Sequence, residues 1–210
     1  MMQRAVFLDR DGVLNRVFLH DDGKTHPPQT PEELEILPGV HECCRLLSQA
    51  GFLLIAVTNQ PDVSRGTQRQ EVVEAINEKI RSQIPLNEML VCFHDNHHHC
   101  DCRKPKPGMI LDAATRHYID LRGSFMIGDR WTDIEAGRRS GCKTILINAP
   151  ASEASRSLPN YYAPSFTAAT NWILQQTGIT ASSRISRNIP PLFEVGVKDP
   201  GVSGPLKKPD

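Results

Sequence analysis

Long apolar runs are missing from this chain of 210 residues: no stretch approaches the roughly 18 consecutive apolar residues that a membrane-spanning helix needs. Net charge is missing as well, since 24 basic residues offset 24 acidic ones. No overall field therefore draws the chain to nucleic acid or to an anionic membrane, and neither is expected as a partner. No internal repeat appears, and one domain with appendages is the expectation for this length. A secretory leader is not evident either. The first apolar run, residues 5–8, is too short and is stopped by charge at Asp9. Without an export signal, the six cysteines point away from disulfides, and Cys100 and Cys102 lie too close for an ordinary bridge. A reduced, cytoplasmic protein with a metal site is the expectation.

What is present begins at residues 4–15, where the run Ala5 to Leu8 leads straight into Asp9 and Asp11 and then Gly12. A brief run rich in Val and Phe and stopped by a turn residue reads as a buried strand of a parallel sheet. Carboxylates at the carboxyl end of such a strand stand where open α/β sheets bind ligands. Two acids this close repel each other unless a cation or a shared proton holds them, and Mg²⁺ suits oxygen donors. The bland alternative is an acidic surface turn.

Apolar runs predict further strands over 52–57, 89–93, 124–127 and 144–147. Helical spacing predicts helices over 40–49, 68–83, 107–119, 132–139 and 166–176, with Val72, Val73, Ile76 and Ile80 inward on the second. Residues 16–38 read as a long loop over the first strand end. The alternation implies an α/β fold, an open parallel sheet with helices on both faces and right-handed crossovers. From residue 179 to 210, Ser, Arg, Gly and Pro dominate, which reads as a disordered tail after a domain over 1–178.

Each strand end carries polar residues: Asp9 and Asp11, then Thr58 and Asn59, then Asp129 and Asp133, with Arg103-Lys104 between the third strand and its helix. In a parallel sheet these ends share one edge. Two acid clusters make a divalent-cation site, and Thr, Asn and Lys offer hydrogen bonds to an anion. The set matches phosphoryl transfer through a carboxylate nucleophile. A second constellation is Cys92, His94, Cys100 and Cys102, three thiols and an imidazole in a tight loop, which suit tetrahedral Zn²⁺ as a closed structural set. His97, His98 and His99 are weaker ligand candidates beside these four. Cys43, Cys44 and Cys142 read as packed small hydrophobes. His20, His26, His41 and His117 read as surface or capping residues, and Trp131 and Trp172 as core or rim packing.

Residues 7–15, Val57-Thr58-Asn59-Gln60, Arg103-Lys104-Pro105 and Gly128-Asp129-Arg130-x-x-Asp133 resemble, in order, the four motifs of haloacid-dehalogenase (HAD) superfamily phosphatases. The resemblance spans residues 4 to about 150 and implies a Rossmann-like (HAD-like) fold, capless, with a zinc-bound loop. It implies Asp9 as nucleophile, Asp11 as general acid and then base, and Thr58 and Asn59 as phosphoryl-binding groups. Lys104 would neutralise charge, and Mg²⁺ would sit on Asp9, the Asp11 carbonyl and Asp129, with Asp133 behind them. Asn15, Gln60, Arg65, Arg103 and Arg130 are expected to contact substrate, and the chain is expected to act as a monomer on a small phosphorylated metabolite.

The zinc loop resembles that of two sister families, the D,D-heptose 1,7-bisphosphate phosphatases and the histidinol-phosphate phosphatases. Arg65-Gly66 and the run from Lys104-Pro105 to Gly108-Met109 resemble the heptose family, and no second catalytic domain is fused. Only five residues separate His94 from Cys100, similar to the histidinol enzymes, and Pro61-Asp62-Val63-Ser64 departs from the heptose family's usual Ser-Gly-Ile-Ala. The heptose bisphosphate, a sugar bisphosphate, is favoured. A receiver-like regulatory domain, a DNA-end phosphatase and a non-catalytic zinc module are the readings from other classes. The first would need neither Asp11 as an acid nor the zinc loop, the second lacks a basic stripe, and the intact Asp9/Asp11 pair speaks against the third.

Overall fold

The computed structural model describes residues 2–19, 25–148 and 151–178; the expected tail and His20 lie outside these. The elements run β1 (Arg4–Leu8), β2 (Phe18–Leu19), β3 (Thr25–His26), α1 (Val40–Gln49), β4 (Phe52–Asn59), α2 (Gln70–Gln83) and β5 (Glu88–Cys92). They continue with a 3₁₀ turn (Asn96–His98), α3 (Gly108–His117), β6 (Phe125–Gly128), α4 (Trp131–Ser140), β7 (Lys143–Ile147), α5 (Ala151–Ala154), β8 (Tyr161–Ala163) and α6 (Phe166–Gln176).

Six strands form one sheet in the order β5-β4-β1-β6-β7-β8, every neighbouring pair parallel. Alternation along β1 divides the core. Val6 and Leu8 face α1, α2 and α6 through Leu47, Ile76, Ile80 and Ile173. Ala5 and Phe7 face α3 and α4 through Met109, Ile110, Ala113 and Ala136. Helices thus cover both faces, so strands buried on two sides read as near-continuous apolar runs. Burying each such Leu or Ile contributes about 1.5–3 kcal/mol.

From β1 the chain builds outward through β4 and β5, then crosses back to β6 on the other side of β1. This reversal makes the carboxyl end of β1 a topological switch point, where open α/β sheets bind ligands. Registers Leu8 with Ala56 and Leu8 with Ile127 bring three strand ends level there.

Three local expectations change. Residues 16–38 are not a bare loop: β2 and β3 form a small antiparallel pair, and Asn15 bridges Ile36. The edge strand β8 has no counterpart among the predicted strands, because three residues, one of them exposed, carry almost no pattern. Helix α2 starts later than expected because the Gln68 side chain turns back, accepting from Arg69 N and donating to Gln29 O. Its inward face is Val73, Ile76, Asn77 and Ile80, with Val72 only half-buried.

Candidate active site

The switch point gathers the predicted residues around one buried cation. Lys104 Nζ lies 2.5 Å from Asp9 Oδ1 and 2.6 Å from Asp133 Oδ1, and donates to the Val57 carbonyl at 2.7 Å. The Lys104 main chain is fixed by Asn59: the Asn59 amide donates to Lys104 O at 3.0 Å and accepts from Lys104 N at 3.1 Å. Asn59, expected to face the phosphoryl group, thus has its side chain committed to holding the lysine loop. Thr58 Oγ1 accepts from Gln60 Nε2 at 2.9 Å, which leaves the hydroxyl proton available to an anion.

Asp11 is surrounded by donors. Arg10 reaches both its oxygens through Nη2 at 2.9 and 3.0 Å, Asn15 Nδ2 donates at 3.0 Å and Gln60 Nε2 at 2.7 Å. Asn15 and Gln60, expected to contact substrate, are buried and donate to this carboxylate, and Gln60 also lines the cleft above it. Arg10 is fully buried and anchored to Asn77, and neither residue was singled out by the sequence. An arginine between two acids reads as solvent-facing, and only a polar residue on the inward face of α2 hints otherwise.

Asp9, Asp129 and Asp133 bring carboxylate oxygens within 4.8 Å of one another. Burial pushes the Asp9 carboxyl up to about 6, against the pull of Lys104, with Asp133 and Asp11 adding to the rise. Burial and the neighbouring Asp9 and Asp133 push Asp129 up to about 8. Burial opposes the Lys104 charge, but Asp133 and Asp9 outweigh it and hold the ammonium above its usual range. One lysine does not balance three clustered acids, two of them buried and Asp129 partly so, and a divalent cation would. Asp129 Oδ1 is buried without a hydrogen-bond partner, as an oxygen reserved for a cation would be. Gly12, at φ +90°, makes room for it, because a Cβ there would stand 2.3 Å from Asp129 Oδ2. Asp133 has both oxygens engaged, by Lys104 and by Arg130 N at 3.1 Å. The donor set therefore fits Mg²⁺ on Asp9 and Asp129, with Asp133 orienting the lysine.

A cleft of about 610 Å³ opens over these residues. Arg65, Arg103 and Arg130 all line it, from three separate loops. Arg65 grips Asp95 through two hydrogen bonds of 2.8 and 2.9 Å and reaches Asp62 at 3.2 Å, so its guanidinium is already engaged. Arg103 donates to Asn96 Oδ1 and to the His94 carbonyl. Arg130 is exposed and has no carboxylate within ion-pair distance among the described residues. Two residues read as bland also form the wall. His26 stacks on Phe18 beside the cleft, and Trp131 lies under Arg156 while Glu153 accepts from its main-chain N–H. Nothing local to those residues marks them, because the wall is assembled from distant loops.

Beside the cleft, Cys92, His94, Cys100 and Cys102 converge. Cys92 Sγ lies 3.7 Å from Cys100 Sγ and from His94 Nδ1, and 3.1 Å from Cys102 Sγ; His94 Nδ1 lies 3.3 Å from Cys102 Sγ. A zinc tetrahedron with bonds of about 2.3 Å to sulfur has sulfur–sulfur edges of about 3.8 Å. The Cys92–Cys100 edge matches this and the Cys92–Cys102 edge is shorter, and the chemistry of the four donors suits that ion. Cys92 ends β5 in register with Asn59, which couples this loop to the catalytic strand end. His98 Nδ1 accepts from Asp95 N, a structural use. Cys43, Cys44 and Cys142 are buried, as expected of small hydrophobes.

Residues 101–169 match a family model described as HAD-hydrolase-like. The D-glycero-beta-D-manno-heptose-1,7-bisphosphate 7-phosphatase of Pseudomonas aeruginosa is 34% identical over 152 residues, which cover 70% of this chain and 82% of that protein. The D-glycero-D-manno-heptose-1,7-bisphosphate 7-phosphatase of Thermosynechococcus vestitus is 32% identical over 196 residues, 82% of this chain and 96% of its own. Among solved structures, the D,D-heptose 1,7-bisphosphate phosphatase of B. bronchiseptica, complexed with magnesium and phosphate, aligns with a TM-score of 0.72 at 28% identity, covering 82% of this chain and 99% of that one.

Proposed function

This chain belongs to the family of D-glycero-D-manno-heptose-1,7-bisphosphate 7-phosphatases, among the HAD-like hydrolases, and we propose that it removes the 7-phosphate of a heptose 1,7-bisphosphate through an aspartyl-phosphate. The observation that carries this reading is Lys104 bridging Asp9 and Asp133 at the floor of a cleft beside Asp11.

An Asp9 oxygen attacks phosphorus, the bond to the sugar oxygen breaks, and the Asp11 carboxyl gives that oxygen its proton. Water then attacks the aspartyl-phosphate while Asp11 takes up its proton, and phosphate leaves with Asp9 restored as a carboxylate. Lys104 offsets charge between nucleophile and phosphoryl group, and the Thr58 hydroxyl donates to a phosphoryl oxygen. Asp9, Asp129 and the Asp11 main-chain carbonyl would hold magnesium, which when bound would supply Lewis acidity toward the phosphoryl oxygens. Cys92, His94, Cys100 and Cys102 would hold zinc in a structural role. Arg103 and Arg130 face the remote phosphate of the substrate, a charge-assisted and bidentate kind of contact.

The reading is tested by phosphate release with magnesium over a panel of sugar bisphosphates, sugar monophosphates and histidinol phosphate. The highest kcat/KM is expected for the heptose bisphosphate, with loss of the 7-phosphate followed by phosphorus NMR. Faster turnover of histidinol phosphate than of any sugar bisphosphate would overturn the substrate assignment.

A further inference from the structure

Arg10 is the largest fully buried side chain among the described residues, and in sequence it stands between the two acids of the proposed reaction. Its carbonyl accepts from Leu14 N at 2.8 Å and Asn15 N at 3.1 Å, closing the turn after β1 and fixing where the side chain starts. One edge of the guanidinium, Nε and Nη2, meets the Asp11 carboxylate. The other nitrogen, Nη1, donates to Asn77 Oδ1 at 2.9 Å. Asn77 is a buried amide on a helix face otherwise made of Val73, Ile76 and Ile80. A polar group on such a face costs stability unless it is paired, and Arg10 is its partner.

We propose that Arg10 and Asn77 are positioning residues for the general acid and base: α2 holds the guanidinium, and its rigid fork sets the place of the Asp11 carboxyl. The inference rests on the proposed phosphatase reading. A planar fork bound at two points permits little rotation of its partner, whereas Gln60 and Asn15 each contribute a single bond to Asp11. Proton transfer to a leaving oxygen depends steeply on placement, and misplacing a catalytic group by about 1 Å costs on the order of a hundredfold.

The test separates bond breaking that needs the proton from bond breaking that does not. A sugar alkoxide leaves poorly without a proton, while p-nitrophenolate leaves well unaided. The second half-reaction needs Asp11 for both esters. In Asn77→Ala, kcat for the sugar bisphosphate is expected to fall roughly tenfold, and in Arg10→Ala roughly a hundredfold, with KM within about twofold. The same variants mixed rapidly with p-nitrophenyl phosphate should release a burst of about one p-nitrophenolate per active site, followed by slow turnover. Arg10→Lys should recover part of the loss, since it keeps the charge without the fork. If Arg10→Ala does not fold, Asn77→Ala and Arg10→Lys carry the test on folded protein.

Unchanged kcat for the sugar ester would overturn the inference. So would equal loss on both esters without a burst, which marks general damage to the site. A wild-type protein that turns over neither ester would instead remove the phosphatase reading beneath it.

Discussion

The strand-end acids and the Cys/His loop are two clusters of potential ligands built on opposite principles. Asp9, Asp129 and Asp133 are carried by the core: buried strands and the start of α4 set them, and the sheet would hold them in place even against their mutual repulsion. Cys92 is buried, but His94 is exposed, and residues 93–103 contribute little to either core. That loop gains order from its four donors and from Arg65 and Arg103, which fasten it to the cleft wall. The first cluster is a fold that imposes a charge problem and needs an ion to relieve it. The second is a loop with little core of its own, which an ion on its four donors would fix.

The contrast breaks first at the nucleophile. Asp9→Asn should lower phosphate release by about three orders of magnitude or more while circular dichroism stays native, because the amide cannot attack phosphorus. Phosphate release near the wild-type rate would end the mechanism.

Zinc is the next largest effect, and it should fall on a different constant. Metal analysis should find about one zinc per chain. Lys104 stays fixed by Asn59, Asp9 and Asp133 when the loop loosens, while Arg65 and Arg103 lose their anchors. Cys100→Ser should therefore raise KM for the bisphosphate roughly tenfold and change kcat only a few-fold. A collapse of kcat at constant KM would show that the loop, not Asn59, holds the lysine.

Magnesium should act on stability with a defined sign. The folded Asp9 and Asp129 carboxyls, raised to about 6 and about 8, hold protons that the unfolded chain releases near pH 4. The folded state therefore binds more protons across that window, and magnesium-free protein loses stability as pH rises from about 4 to 8. Saturating magnesium should raise the melting temperature by roughly 5 °C or more at pH 8 and by less at pH 6. Equal shifts at both pH values would contradict the assignment of the cation to these acids.

The smallest effect concerns Arg65. Its side chain is tied to Asp95, so Arg65→Ala and Asp95→Ala should each cost only a few-fold in kcat/KM. The double variant should cost little more than either one, the mark of a shared interaction. Additive losses would restore Arg65 to direct contact with substrate.

The strand ends were legible because a strand covered on both faces is written as an unbroken apolar run, so Ala5 to Leu8 and then Asp9 announced themselves. The convergence of Cys92, His94, Cys100 and Cys102 was legible because their spacing is local. Asp133 was expected to stand beside the metal site or Lys104, and its two oxygens are engaged by Lys104 and by Arg130 N. Asn59, Asn15 and Gln60 were found, but sequence places them at the edge and is silent on which neighbour each amide meets. Arg10 escaped because burial of a charge is not visible in its own residue type. His26 and Trp131 escaped because a wall built from the loops after β1 and β6 exists only in three dimensions.

Asn59 has a consequence for how such enzymes diversify. Its backbone is paired with Cys92 at one foot of the Cys/His loop, and its side chain clasps Lys104 at the other. A segment anchored at both feet to one residue behaves as an exchangeable cassette. Its interior can lengthen, shorten or change donors without transmitting the change to the ammonium beneath. Loop-swap chimeras joined at Cys92 and Lys104 should thus alter which molecules enter the cleft while leaving the chemistry at Asp9 untouched.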